Sequence, residues 1–342
     1  MLRKVAATGV DLDDVYDRAL WRIKDQKGDR SRLGMEVLMW VSHAERPLRI
    51  GELSHALAVE MGATDIDIAN ILPQDTVLEA CLGLTVVDEE TSTVRLIHYS
   101  LQEYLSRPGV LPDAHRTLGQ TCLTYLNYDQ VKRLPANNFS DFTDMPFLEY
   151  SSLHWGRHAK IELSDYTKSL ALELLGQYDS HPSSVLLFNH IHEGRHSFAP
   201  GNSVSFNDYY APSNSVSSND DCAPNHHPFP GLHCASYFGI DEVVAALIEM
   251  DGCDINQQDR KGFTPFMWAV RQGNQGAVAL LLARDDVSPD KPNNNGITPL
   301  WWASFHGNEG VVRLLLARGD VNPNKPGGSD ETPLYTASNM GR

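Results

Sequence analysis

The side chains able to do chemistry in this chain of 342 residues are scattered, so their spacing has to decide among them. His154 and His158 stand one helical turn apart, the spacing with which a helix presents two imidazoles to zinc. A zinc hydrolase of that pattern needs a Glu directly after the first His as general base. Trp155 stands there and no third ligand is identifiable, so the pair reads as helix-surface or capping histidines. His190 with His192, and His226 with His227, are weaker metal candidates that flank or lie within a polar stretch. No serine, Ser100, Ser183 and Ser184 included, lies in a Gly-x-Ser-x-Gly nucleophile elbow. No Gly-x-x-x-x-Gly-Lys-Ser/Thr phosphate loop occurs. These residues predict no catalysis, no metal and no cofactor, and an enzyme, for instance a hydrolase, is the weakest reading.

Composition narrows the class. The formal net charge is −16 and the pI about 5.2, which opposes a general role on nucleic-acid phosphates and fits a soluble protein or one with basic partners. Cys81, Cys122, Cys222, Cys234 and Cys253 are odd in number and lack CxxC spacing, so they read as reduced cysteines of a cytoplasmic protein. No apolar run is long enough to span a membrane, and Met1-Leu-Arg-Lys-Val-Ala-Ala lacks the sustained apolar region of a signal peptide.

The elements that would position any site are best marked near the C-terminus. Thr264-Pro265, Thr298-Pro299 and Thr332-Pro333 recur at 34-residue intervals, and Ala235, Ala269, Ala303 and Ala337 keep the same interval. Each Thr can cap a helix whose first turn tolerates the Pro. Ala303 lets two helices approach, and Gly307 can end the first of them with a positive φ. Val311, Val312, Leu314, Leu315 and Leu316 then form the apolar face of a second helix. No single unit can bury that face alone, so neighbours must stack. An earlier unit lacks Thr-Pro but keeps Leu232-His233-Cys234-Ala235, Gly239 and Val243–Ile248.

The fullest unit, Gly296-Ile-Thr-Pro-Leu-Trp-Trp-Ala followed by His306-Gly307-Asn308 and Val311-Val-Arg-Leu-Leu-Leu, closely resembles the ankyrin repeat. The resemblance implies about three and a half repeats over 230–342, the last incomplete, and an expectation that the chain is a fragment. It also implies a protein ligand bound by the turn tips and first helices. Carried over position by position, that surface comprises Arg260, Lys261, Phe263, Trp268, Arg271 and Gln272 in the second unit. The third supplies Asn294, Asn295, Ile297, Trp302, Phe305 and His306, and the fourth Ser329 and Glu331. Trp302 and Arg271 are the preferred contacts, since aromatics and Arg are enriched in hot spots. Packing between repeats is the competing role for the tryptophans, above all for Trp301, which replaces the family's usual His.

The N-terminal part reads as helices over 11–26, 31–44 and 51–60, with the extended link Arg46–Ile50, then a helix near 76–81. Strands Leu84–Asp88 and Thr93–His98 follow, joined by a polar turn, then a helix from Ser100. Asp14-Val-Tyr-Asp-Arg-Ala-Leu-Trp-Arg-Ile, Arg46-Pro-Leu-Arg-Ile-Gly-Glu-Leu-Ser-His-Ala-Leu and Val94-Arg-Leu-Ile-His-Tyr-Ser-Leu-Gln-Glu-Tyr-Leu resemble the winged-helix domain named after GPI inositol-deacylase, over roughly 1–108. In fungal NACHT–ankyrin proteins that module directly follows the NACHT nucleotide-binding domain. These are STAND signalling ATPases of NOD-like receptor type. The resemblance implies a NACHT domain in cis, upstream of residue 1, and no deacylase activity. His98, at a strand–helix junction, is a weak candidate for the winged-helix histidine that reaches the nucleotide in related switches, and a packed or surface histidine is the preferred reading. DNA binding is disfavoured, because the third helix offers Glu52, Ser54, His55 and Glu60, and the hairpin tip Glu89 and Glu90.

A helical segment over 109–196 follows, with elements near 113–127, 147–158, 170–175 and 185–191. Residues 197–229, rich in Ser, Asn and Asp, read as a flexible linker, with a phosphorylation-regulated hinge as the alternative. The expected fold is mainly α: winged helix, helical segment, then an ankyrin solenoid. The expected function is non-catalytic: protein binding by the repeats, coupled through the winged helix to a nucleotide switch. A freestanding ankyrin adaptor is the alternative.

Overall fold

The computed structural model describes residues 12–134, 144–193, 229–327 and 331–342, the side chain of Glu193 excepted. The linker expected over 197–229 lies outside them apart from Phe229, as do His226, His227 and Ser329. The fold is mainly helical, as expected. The chain divides into two compact units, residues 1–131 with 140–167 and residues 132–139 with 168–342.

In the first unit, α1 (Leu12–Lys24) places acids in its first turn and Arg22 and Lys24 in its last, matching the helix dipole, and buries Tyr16, Leu20 and Ile23. It packs on α2 (Arg30–His43), which buries Val37, Leu38 and Trp40. Gly34 is required where α2 meets the turn after α4 (Gln74–Glu79). A Cβ there would lie 2.4 Å from the Ala80 carbonyl oxygen and 2.7 Å from an Ile23 methyl. Between them stands α3 (Ile50–Leu57). Strands β1 (Thr85–Asp88) and β2 (Thr93–Leu96) form an antiparallel hairpin, Val87 opposite Val94. The extended link before α3 adds to it, through Val94 N–H to Leu48 O and Ile50 N–H to Ser92 O. This is the wing, and α5 (Tyr99–Leu105) leads away from it.

One detail of α3 departs from expectation. Glu52, grouped by its type with the outward polar residues, is 2% exposed. Its carboxylate accepts two bonds from Arg46, at 2.7 and 2.8 Å, and one from the Arg49 N–H at 2.7 Å. A buried carboxylate needs such partners, and the Arg46-Pro-Leu-Arg turn delivers them. The unit closes with α6 (Ala114–Leu126) lying along α8 (Leu148–Ile161), and the short α7 (Asp129–Lys132) follows α6.

In the second unit, α9 (Asp165–Leu175) and α10 (Pro182–Glu193) precede a stack of helix pairs. These are α11 (Gly231–Phe238) with α12 (Asp241–Ile248), α13 (Pro265–Gln272) with α14 (Gln275–Leu282), α15 (Pro299–His306) with α16 (Glu309–Leu316), and then α17 (Pro333–Asn339). The expected local chemistry is in place. The Thr264, Thr298 and Thr332 hydroxyls accept the N–H of Met267, Trp301 and Tyr335 at 3.1–3.3 Å. Gly273 and Gly307 end the first helices at φ 71° and 69°. In α16, Val311 and Leu315 point inward, whereas Leu316, expected on the apolar face, is 52% exposed. It lies one position past the buried Leu315, about 100° round the helix.

Candidate functional site

The first helices of the repeats carry Tyr237, Arg271 and Phe305 at equivalent positions, each followed by Phe238, Gln272 and His306 respectively. Arg271 is the centre of this surface. Its guanidinium carbon lies 5.6, 5.1 and 4.9 Å from the ring centroids of Phe263, Trp268 and Trp302. Three aromatic faces around one guanidinium hold it by cation–π attraction, each worth about 0.5–2 kcal/mol depending on desolvation. Burial pushes the group below the ordinary arginine pKa, opposed by Tyr237 and Asp259. Half-buried, Arg271 makes no hydrogen bond or ion pair among the described residues.

Beneath the cage, Asp259 organises the turn. One carboxylate oxygen accepts the N–H of Lys261 and of Phe263, each at 2.9 Å, and the other accepts the Trp268 indole N–H at 2.9 Å. Phe263 stacks on Trp268 with 4.7 Å between centroids. In the next repeat Asn293 takes the place of Asp259 and accepts from the N–H of Asn295 and Ile297. The Trp302 indole N–H, counterpart of Trp268, is buried without a hydrogen-bond partner among the described residues. An amide has one acceptor oxygen where a carboxylate has two, so the exchange removes the acceptor the first indole uses.

The expected contact residues therefore separate. Arg260, Lys261, Gln272, Asn294 and Asn295 are exposed, and Arg271, Phe305 and His306 are half-buried. Phe263, Trp268 and Ile297, expected to present surface, are 5%, 0% and 2% exposed, and Trp302 is buried as well. Phe263 and Trp268 are drawn in by the Asp259 turn, and with Trp302 they support Arg271 from beneath. Asn294 also ties successive turn tips together, its amide donating to Arg260 O at 3.0 Å. Phe305 stacks on Trp301, which is buried, and His306 stacks on Trp302. Burial lowers the His306 pKa to about 4. His192, from α10, sets its ring 5.5 Å from Trp268 and 6.0 Å from Phe263, and burial lowers its pKa to about 3.

Sequence reasoning missed Asp259 and the inter-repeat latches. Asn274 donates to Ser236 O and Tyr237 O at 2.9 Å, and Asn308 donates to Val270 O at 3.3 Å. The recurring Gly273-Asn274 and Gly307-Asn308 pairs were the available signal. His233, the one repeat position that keeps the usual His, donates to Phe263 O at 3.0 Å.

His98 caps α5: its Nδ1 accepts the Ser100 N–H at 3.1 Å and sits 2.6 Å from the Ser100 hydroxyl. His154 and His158 do not converge on a metal position, and among the described residues no group of three or more His, Cys, Asp or Glu is placed to hold one. His158 Nε2 lies 2.9 Å from the Tyr150 hydroxyl, and its Nδ1 lies 2.9 Å from His115 Nδ1 on α6. Among the described residues no helix is long and apolar enough to cross a membrane.

Comparison with known families agrees with this architecture. Residues 232–327 match ankyrin repeats in three copies. Residues 23–113 match the winged-helix domain of GPI inositol-deacylase, a domain associated with the NACHT family. No curated protein matches the chain. Ankyrin repeats are a protein-interaction module, which indicates a protein-interaction role for this part of the chain.

Proposed function

We propose that this protein is the non-catalytic interaction and regulatory part of a cytoplasmic NACHT–ankyrin signalling receptor of STAND type. The ankyrin face binds a protein ligand, and the winged helix passes that event to a nucleotide switch. The observation that supports the reading most is the exposed rim of Arg260, Lys261 and Gln272 around the half-buried Arg271, braced from below by buried aromatics. A rigid aromatic floor under polar donors is the composition of a binding hot spot rather than of an inert surface. The winged-helix match and its association with NACHT proteins support the coupling role.

The binding half is tested with a variant carrying Arg260→Ala, Lys261→Ala and Gln272→Ala, all at exposed positions where substitution leaves the fold intact. The immobilised wild-type chain should retain a specific protein from extracts of its source cells, and the variant should lose at least about tenfold of it. Identical capture by both would contradict the reading. The coupling half expects the transcript's reading frame to continue upstream into a phosphate loop; a frame without one contradicts it.

A further inference from the structure

Among the described residues the cage around Arg271 holds no counter-group in hydrogen-bond contact with it. Arg271 offers five N–H donors and has no acceptor among the described residues. The Trp302 indole N–H, on one wall of the same cage, is also without a partner among them. Asp259, whose charge acts on Arg271, is already engaged, its two oxygens accepting from Lys261 N–H, Phe263 N–H and Trp268 Nε1–H. The indole N–H is buried, whereas the half-buried guanidinium, held in place by aromatic rings, has donors without an acceptor among the described residues at the recognition surface. We infer that the Arg271 cage receives a side-chain carboxylate of the protein ligand, an Asp or Glu flanked by apolar residues, held in two parallel bonds by the guanidinium.

This inference rests on the reading of the ankyrin face as the binding surface and specifies its chemistry. A guanidinium matches a carboxylate in planar, bidentate fashion, and the match strengthens where water is displaced. The apolar neighbours follow from the half-buried rings of Tyr237 and Phe305, at the positions equivalent to Arg271 in the flanking repeats. Asp259 opposes a dianion, because its negative charge acts on Arg271 from nearby. A single-charge ligand group is therefore preferred over a phosphate. A chain-terminal carboxylate would call on backbone N–H groups, but those of Lys261 and Phe263 are consumed by Asp259. A side-chain carboxylate needs only the fork.

The test is a random-peptide display library panned on the full wild-type chain, followed by synthesis of the enriched peptides. The expected motif has a fixed Asp or Glu beside apolar residues. Exchange of that acid for Asn or Gln should weaken binding to the wild-type chain about tenfold or more. The same exchange should change binding to Arg271→Met by less than about twofold, since the coupling resides in the removed guanidinium. Arg271→Lys, which keeps the charge and loses the fork, should give an intermediate loss. If Arg271→Met fails to fold, the acid-to-amide exchange on the wild-type chain alone still decides. Enriched peptides indifferent to that exchange overturn the carboxylate site and leave the binding surface standing. Failure to enrich any peptide that binds the chain overturns both.

Discussion

Asp259→Ala should lower the stability of the ankyrin unit by about 3–4 kcal/mol, the largest loss expected of any single substitution considered for this fold. The side chain is 6% exposed and holds three N–H groups at 2.9 Å. Alanine leaves the buried Phe263 and Trp268 N–H groups unpaired, and each orphaned donor costs about 1–3 kcal/mol. The buried Trp268 would lose its orientation, and with it one wall of the Arg271 cage. Asp259→Asn is the informative companion. It keeps an oxygen for the turn, as Asn293 does in the following repeat, and gives up the indole acceptor. About half of the alanine loss should remain. Urea midpoints of the three proteins should rank wild type above Asp259→Asn above Asp259→Ala. Equal midpoints for wild type and alanine would show that the turn is held by something else.

Acid should destabilise both units, and the second more than the first, because burial depresses His192 and His306 there as well as His233. His158 and His233 are fully buried, and burial lowers their pKa values to about 3 and about 4. For His158 the nearby His115, His43 and Arg157 push in the same direction. The bonding explains why a proton is unwelcome. The Tyr150 hydroxyl accepts the Glu45 N–H at 3.1 Å, so its own proton points to His158 Nε2. That leaves the single N–H of neutral His158 on Nδ1, directed at His115 Nδ1. A second proton on Nε2 would face the Tyr150 proton. Both histidines are depressed in the folded state. Their stabilisation is therefore complete above the unfolded pKa near 6.5 and is lost as pH falls from there toward the folded values. By pH 5 each should cost about 2 kcal/mol relative to neutral pH. Hydrogen exchange on α6 and α8 reports the first unit, and on α11 and α13 the second. His158→Gln should flatten the pH dependence of the first unit alone. An unchanged slope in that variant would show that His158 does not carry the acid sensitivity.

What the sequence made legible was whatever repeats or is local. The Thr-Pro caps, the Gly273 and Gly307 stops and the inward Val311 and Leu315 follow from short-range chemistry. The 34-residue interval also multiplies the signal. The hairpin was legible from alternation, within a residue or two at its ends. What stayed hidden depends on chain segments brought together by folding. His154 and His158 advertise a shared helix face, yet the partner that defines His158 comes from α6, 43 positions away in the chain. Glu52 looked like a surface acid until the preceding turn wrapped Arg46 over it. The candidate site was half legible: residue type singled out Arg271 and Trp302, and only the folded chain shows Arg271 as half-buried and Trp302 as the buried ring beneath it.

The central claim is that a protein ligand meets the first-helix face of the repeats. A photo-crosslinking amino acid placed at Gln272, beside Arg271, tests it most directly, with the same probe at the exposed Leu316 on α16 as the control. A discrete protein adduct is expected from position 272, lost on adding Arg271→Met, and none of that mass from position 316. Adducts that form equally from both positions, or from 316 alone, would contradict the claim.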